Sequence, residues 1–184
     1  MNSLDAIDVL EAEHRTILKV VGTMAVLADV VQSGQDKCQT IGEVLEFLQT
    51  YVGQCHHVKE EQHLFPALTA KGVPAQGCPI GALVHEHQKL HALMDDLARS
   101  AQMAGQSDPA AEHRLRELAE MYPGHIWKED YLLFPMSRKV LLQDDLEALN
   151  VHFSQADRQI GLETRRRLEG LAQRLYEECL ISAT

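Results

Sequence analysis

Apolar residues recur along this chain at three- and four-residue steps, the spacing of helices that bury one face. Ile7, Leu10, Leu18, Val21, Met24 and Leu27 predict a first helix over about residues 3–31, with Gly34 as its C-terminal stop. His14 interrupts that stripe. A second stripe runs Leu45, Leu48, Val52, His56, Glu60, Leu64, with Thr40-Ile41-Gly42-Glu43 read as a capping box before it and Lys71-Gly72 as its end. Pro66 lies in its last turns and is expected to bend or end the helix. A loop with Gly72, Pro74, Gly77 and Pro79 follows. The third helix, about 79–103, carries Ile80, Leu83, Val84, His87, His91, Met94 and Leu97. The fourth is announced by Asp108-Pro109, a cap residue followed by a proline at the first helical position, and carries Leu115, Leu118, Tyr122, His125, Glu129, Leu132 and Met136.

Four amphipathic segments with short connections predict an all-α protein whose residues 1–141 form an up-down-up-down four-helix bundle. Residues 142–184 read as a further helical segment, rich in charge around Arg165-Arg166-Arg167 and broken near Ser154. It is expected to pack on the bundle or on a second subunit, which would make a homodimer.

The polar residues on those apolar stripes repeat. His56-His57-Val58-Lys59-Glu60-Glu61-Gln62-His63-Leu64-Phe65-Pro66 returns as His125-Ile126-Trp127-Lys128-Glu129-Asp130-Tyr131-Leu132-Leu133-Phe134-Pro135. Glu13-His14 likewise returns as Glu86-His87. The chain therefore reads as two similar helical hairpins, as duplication and fusion would leave it. The copies are unequal: His91 follows His87 by one turn, whereas Leu18 follows His14.

In each motif the first acid stands four residues after the histidine, so both side chains share one helical face. A single pair of this kind is ordinary on a helix surface, and a lone core histidine is ordinary too. The conjunction is not: His14, His56, Glu60, His87, His91, His125 and Glu129 place five imidazoles and two carboxylates on four inward stripes. Buried polar groups must be satisfied, and two cations bridged by two carboxylates would satisfy them all. The ligand types suit iron, manganese or zinc. Asp130 is the alternative to Glu129, which is preferred because it lies four residues from His125 and mirrors Glu60. His57 and Glu61 are the register alternatives to His56 and Glu60 and rank behind them, being off the ligand face of an ideal helix. Tyr122, one turn before His125, is a candidate hydrogen-bond partner for the site.

Composition narrows the partners. A net charge of −10 argues against nucleic acid or an anionic membrane, and no apolar run approaches the ~20 residues of a membrane span. The acidic N-terminus, Met-Asn-Ser-Leu-Asp, does not read as a signal peptide. Four cysteines lie scattered without C-x-x-C spacing, in keeping with thiols in a reducing compartment. A cytoplasmic protein is expected.

The two acid-acid-x-x-Leu-Phe-Pro stretches, together with the spaced histidines, resemble the hemerythrin-like family, the HHE cation-binding domain, over about residues 5–140. The resemblance implies a non-haem diiron site. His14, His56, His87, His91 and His125 look like its terminal ligands, Glu60 like one bridge, and Glu129 or Asp130 like the other. His87, His91 and His125 would complete one iron, and His14 and His56 would leave a position open on the other. The implied function is binding or sensing of dioxygen or a related small molecule such as nitric oxide or peroxide. The alternatives are an enzyme acting on peroxide or nitric oxide and an interaction module gated by iron or oxygen.

Overall fold

The computed structural model describes residues 5–33, 37–103 and 109–182. Among the described residues every regular element is helical. The predicted start at Ser3, the stop at Gly34 and the cap at Asp108 lie outside them.

Helix α1 (Ala6–Gln32) starts at Asp5, whose carboxylate accepts from the Ile7 and Asp8 amides while Asp8 accepts from the Asp5 amide. This reciprocal arrangement satisfies donors that a helix start leaves open. Its buried face carries Ile17 where the sequence pattern suggested Leu18, which is 38% exposed. Helix α2 covers residues 38–70 without a break. It begins at Cys38 after Lys37, so Thr40 lies inside the first turn and no side chain caps this end. That corrects the expected Thr40–Glu43 cap. Helix α3 spans Ile80–Met103, and α4 covers residues 109–140.

Helices α2 and α4 are not uniform. Phe47–His56, Glu60–Leu64 and Glu129–Leu133 follow the wider π spacing, in which the hydrogen bond runs from i to i+5. Pro66 and Pro135 stand just after the last two of these stretches. A proline has no N–H to give to the preceding turn and crowds the carbonyl four residues back. The widened turn absorbs both problems, so α2 continues through Pro66, expected to bend or end it, and α4 through Pro135. Each π turn also moves the buried stripe by one residue. Leu133 and Phe134 are buried while Leu132, predicted inside, is 53% exposed.

Helix α4 packs along α1 and α3, and α2 packs against α3 and α1. The apolar core falls into two clusters. One contains Ile17, Met24, Leu48, Leu90, Leu118 and Ile126, the other Ile7, Leu10, Leu64, Leu83, Leu133 and Phe134. At the level where the two clusters meet, the helices carry Glu13 and His14, His56 and Glu60, His87, and His125 and Glu129.

The last segment is a helical hairpin, α5 (Gln143–Ile160) and α6 (Leu162–Ser182). The turn falls at Gly161, whose φ of +89° favours glycine, rather than near Ser154. Ser154 sits inside α5 and returns its hydroxyl to the Asn150 carbonyl at 2.8 Å. In this chain α6 lies on α1, and α5 on α2.

Candidate metal centre

The polar layer between the two apolar clusters brings two groups of donors together. His14, His56, Glu60 and Glu129 have ligand-capable atoms within 4.8 Å of one another, and so do His57, His87 and His125. All seven residues are buried. The carboxylates lie between the groups. Glu60 Oε2 is 3.5 Å from Nε2 of both His56 and His87. Glu129 Oε2 is 3.3 Å from Nε2 of His14 and of His125.

The rings are aimed by what lies behind them. Nδ1 of His14 meets Asp130 at 2.6 Å, Nδ1 of His87 meets Glu61 at 2.6 Å, and Nδ1 of His56 and His125 meet Glu13 and Glu86, each at 3.0 Å. Each acid accepts the Nδ1 proton and turns Nε2 inward. Lys59 holds Glu13 in turn, and Lys128 holds Glu86. Aromatic rings complete the frame: Phe134 stacks on His14 at 5.3 Å and Phe65 on His87 at 6.0 Å. Each motif thus gives its histidine and first acid to the layer, and its second acid and phenylalanine to a histidine of the other hairpin.

Of the residues singled out in the sequence, His14, His56, Glu60, His87, His125 and Glu129 meet in the layer. His91 does not join either donor group. It is half-buried, and its Nε2 lies 3.2 Å from Nδ1 of His57. His57 takes the place expected for it, 2% exposed and stacked on His87 at 3.8 Å. The cause is the π stretch Phe47–His56. The wider spacing shifts the phase of the helix up to His56, and both His56 and His57 are buried there, at 1% and 2% exposure. Glu129 rather than Asp130 enters the layer. Tyr122 is buried but directs its hydroxyl to Met94 Sδ at 3.9 Å, not to a histidine.

The layer fits cations. All four oxygens of Glu60 and Glu129 are buried without a hydrogen-bond partner, a cost of roughly 1–3 kcal/mol for each group left unsatisfied. Nε2 of His14 and His56 face each other at 3.0 Å, and those of His87 and His125 at 3.1 Å. With Nδ1 committed to a carboxylate, each such pair needs a proton or a cation between its lone pairs. Protons can serve in part. Burial opposes charge on His14, but the Asp130 hydrogen bond and the charges of Glu129 and Glu60 push it up to about 10. Burial likewise opposes His87, and Glu129, Glu61 and Glu60 push it up to about 10. Burial takes His56 down to about 4 and lowers His125. Burial and the Glu129 charge also hold Glu60 well above the usual carboxylate range, and the oxygens of both acids remain without hydrogen bonds. Imidazole nitrogen and carboxylate oxygen are donors that iron, manganese and zinc accept.

A helical protein with a layer of buried imidazoles around paired carboxylates is a metal-binding protein of the histidine–carboxylate class. The chain belongs to the hemerythrin family: the model of the hemerythrin HHE cation-binding domain matches residues 5–137. No curated protein matches the chain.

His57 belongs to the layer, and Glu13 and Glu86 to the frame behind it, without being among the seven candidate ligands of the sequence. Glu13 and Glu86 were visible as repeat partners of His14 and His87. The doubled His56-His57, against the single His125 followed by Ile126, was the available signal for His57.

Proposed function

We propose that this protein is a hemerythrin-type diiron protein that binds or senses dioxygen or a related small molecule, nitric oxide or peroxide, in the cytosol. The four helices α1–α4 serve as an up-down-up-down bundle around the site. The reading rests on one observation: four buried carboxylate oxygens without partners lie between five inward-facing imidazoles divided three and two. His57, His87 and His125 would hold one ion and His14 and His56 the other, with Glu60 and Glu129 reaching both.

Bound iron would supply the redox and ligand-binding chemistry, and a position left open by the protein is where a small molecule can enter. The chain's own residues supply the rest. Asp130, Glu61, Glu13 and Glu86 hold the imidazoles in the tautomer that offers Nε2. Phe134 and Phe65 cover His14 and His87 and keep water off those rings. Buried Ile126 and Tyr122, at 3% and 1% exposure, are part of the apolar cluster next to the layer.

The test is anaerobic loading with ferrous iron, metal analysis after desalting, then admission of air with the optical spectrum followed. Two irons per chain and a new near-ultraviolet to visible absorption on exposure are expected. A colourless protein with substoichiometric iron would contradict the reading.

A further inference from the structure

His56 and His125 occupy the same place in the repeat, and each receives a carboxylate on Nδ1 at 3.0 Å. Behind those carboxylates the halves differ. Glu86 is paired with Lys128, and both side chains reach the surface, at 19% and 43% exposure. Glu13 is 1% exposed, and its Oε1 is shared between Lys59 and Arg165, the latter at 2.8 Å. Lys59 Nζ also reaches Asp157 Oδ1 at 2.6 Å, Arg165 pairs with Asp157, and the buried Cys55 thiol donates to Asp157 at 3.1 Å. Asp157 is on α5 and Arg165 on α6, across the Gly161 turn from each other.

Glu13, Cys55 and Asp157 have donor atoms close enough to suggest a third metal site. Lys59 and Arg165 already place two positive charges against two carboxylates there, so the cluster is balanced without an ion. Its reach is what matters. Buried charges that lose a partner are costly, and Arg165 is the cation that lets Lys59 serve both Glu13 and Asp157. Without Arg165 one ammonium faces two carboxylates, and the hold on Glu13 is divided.

We infer that the α5–α6 hairpin governs the His14/His56 half of the metal centre, with Arg165 and Asp157 as positioning residues that hold Glu13 against His56 Nδ1. The inference rests on the dinuclear reading above. Arg165 Nε is itself fixed by Glu169 at 3.0 Å, and its guanidinium lies 5.6 Å over the Tyr51 ring, so its placement depends on the docked hairpin. Among the described residues the His87/His125 half shows no such connection, because Glu86 and Lys128 complete their pair without the hairpin. Anything that lifts the hairpin would then weaken one half of the site and spare the other.

Cobalt(II) titrated anaerobically into the metal-free full chain tests this, with the affinities of the two equivalents and the paramagnetically shifted imidazole N–H signals as readouts. Arg165→Met is expected to weaken one equivalent by roughly 10- to 100-fold, the usual effect of losing an outer hydrogen-bond partner. The other equivalent keeps its affinity. The His56 Nδ1–H signal broadens by exchange with water and that of His125 does not. Arg165→Lys restores most of the affinity. Arg167→Ala, which breaks only the surface pair between α6 and Glu46, leaves both equivalents as they were. Asp157→Asn stands in if Arg165→Met does not fold, with the same selective weakening expected. Equal weakening of both equivalents, or none, overturns the inference. Fewer than two cobalt ions in the unaltered protein overturns the dinuclear reading beneath it.

Discussion

On one side of the metal layer, His57 stands where the other copy of the motif has Ile126. One turn earlier, Gly53 stands where the other copy has Tyr122, and His91 where the other hairpin has Leu18. These three exchanges belong together. A Cβ on Gly53 would come within 3.0 Å of His91 Cε1, so glycine makes the room in which His91 reaches Nδ1 of His57. In the other copy the same level is apolar, filled by Tyr122 and Ile126. The frame is common to both halves: the acid on each Nδ1, the lysine behind it, the phenylalanine over the ring. The repeat thus forms a symmetric cage, and one extra imidazole with its supports makes the halves unequal.

The largest effects should come from the groups both halves share. Glu129→Ala, like Glu60→Ala, is expected to abolish binding of both metal equivalents, read as iron per chain after anaerobic loading and desalting. Loss of only one equivalent would mean that the carboxylate serves one half. Next come the residues that distinguish the halves. His57→Ile, which writes the second copy's residue into the first, should remove one equivalent. His91→Ala should weaken that equivalent by about 10- to 100-fold without removing it, since His91 acts through His57. The reverse ranking would return His91 to the ligand set.

A smaller effect concerns protons. His14 and His87, one in each half, are raised from 6.5 to about 10 in the metal-free chain. A raised value contributes stability that is fully present below about pH 6.5 and is lost as pH rises through about 10. The metal-free protein should therefore melt at a lower temperature at pH 10 than at pH 7, and metal uptake at pH 7 should release protons from both histidines and from Glu60, which burial and the Glu129 charge hold well above the usual carboxylate range. Uptake without proton release, measured in weakly buffered solution, would contradict this. The smallest effect is Gly53→Ala. Alanine favours the helix by about 1 kcal/mol, and the half-buried His91 must give way by a few tenths of an ångström. Thermal stability is expected to stay nearly level while the His57 half alone loses some affinity. Equal loss in both halves would separate Gly53 from His91.

Much of this was legible in the chain. Periodicity placed α1 to α4 within a few residues, and six of the seven layer residues stood out as polar positions on apolar stripes. Glu129 was separable from Asp130 by its four-residue distance from His125. What escaped was local helix geometry. Ranking His57 behind His56 rests on an ideal α-helix through Phe47–His56, and the same ideal geometry puts Leu132 inside in place of Leu133. The signal for the second case was present in Pro66 and Pro135, whose missing N–H the wider turn accommodates. Nothing comparable marks the first stretch. The hairpin's connection to His56 was illegible for another reason: Asp157 and Arg165 meet Glu13 only through tertiary packing, with no periodic trace.

The central claim is an unequal pair of metals in one symmetric frame. Mössbauer spectroscopy of the full chain loaded anaerobically with two equivalents of iron-57 addresses it most directly. Two ferrous quadrupole doublets of equal area are expected, one for the three-histidine side and one for the two-histidine side. Replacing His57 by isoleucine should remove one of them. A single doublet from the unaltered protein carrying two irons, or a stoichiometry of one iron per chain, would contradict the account.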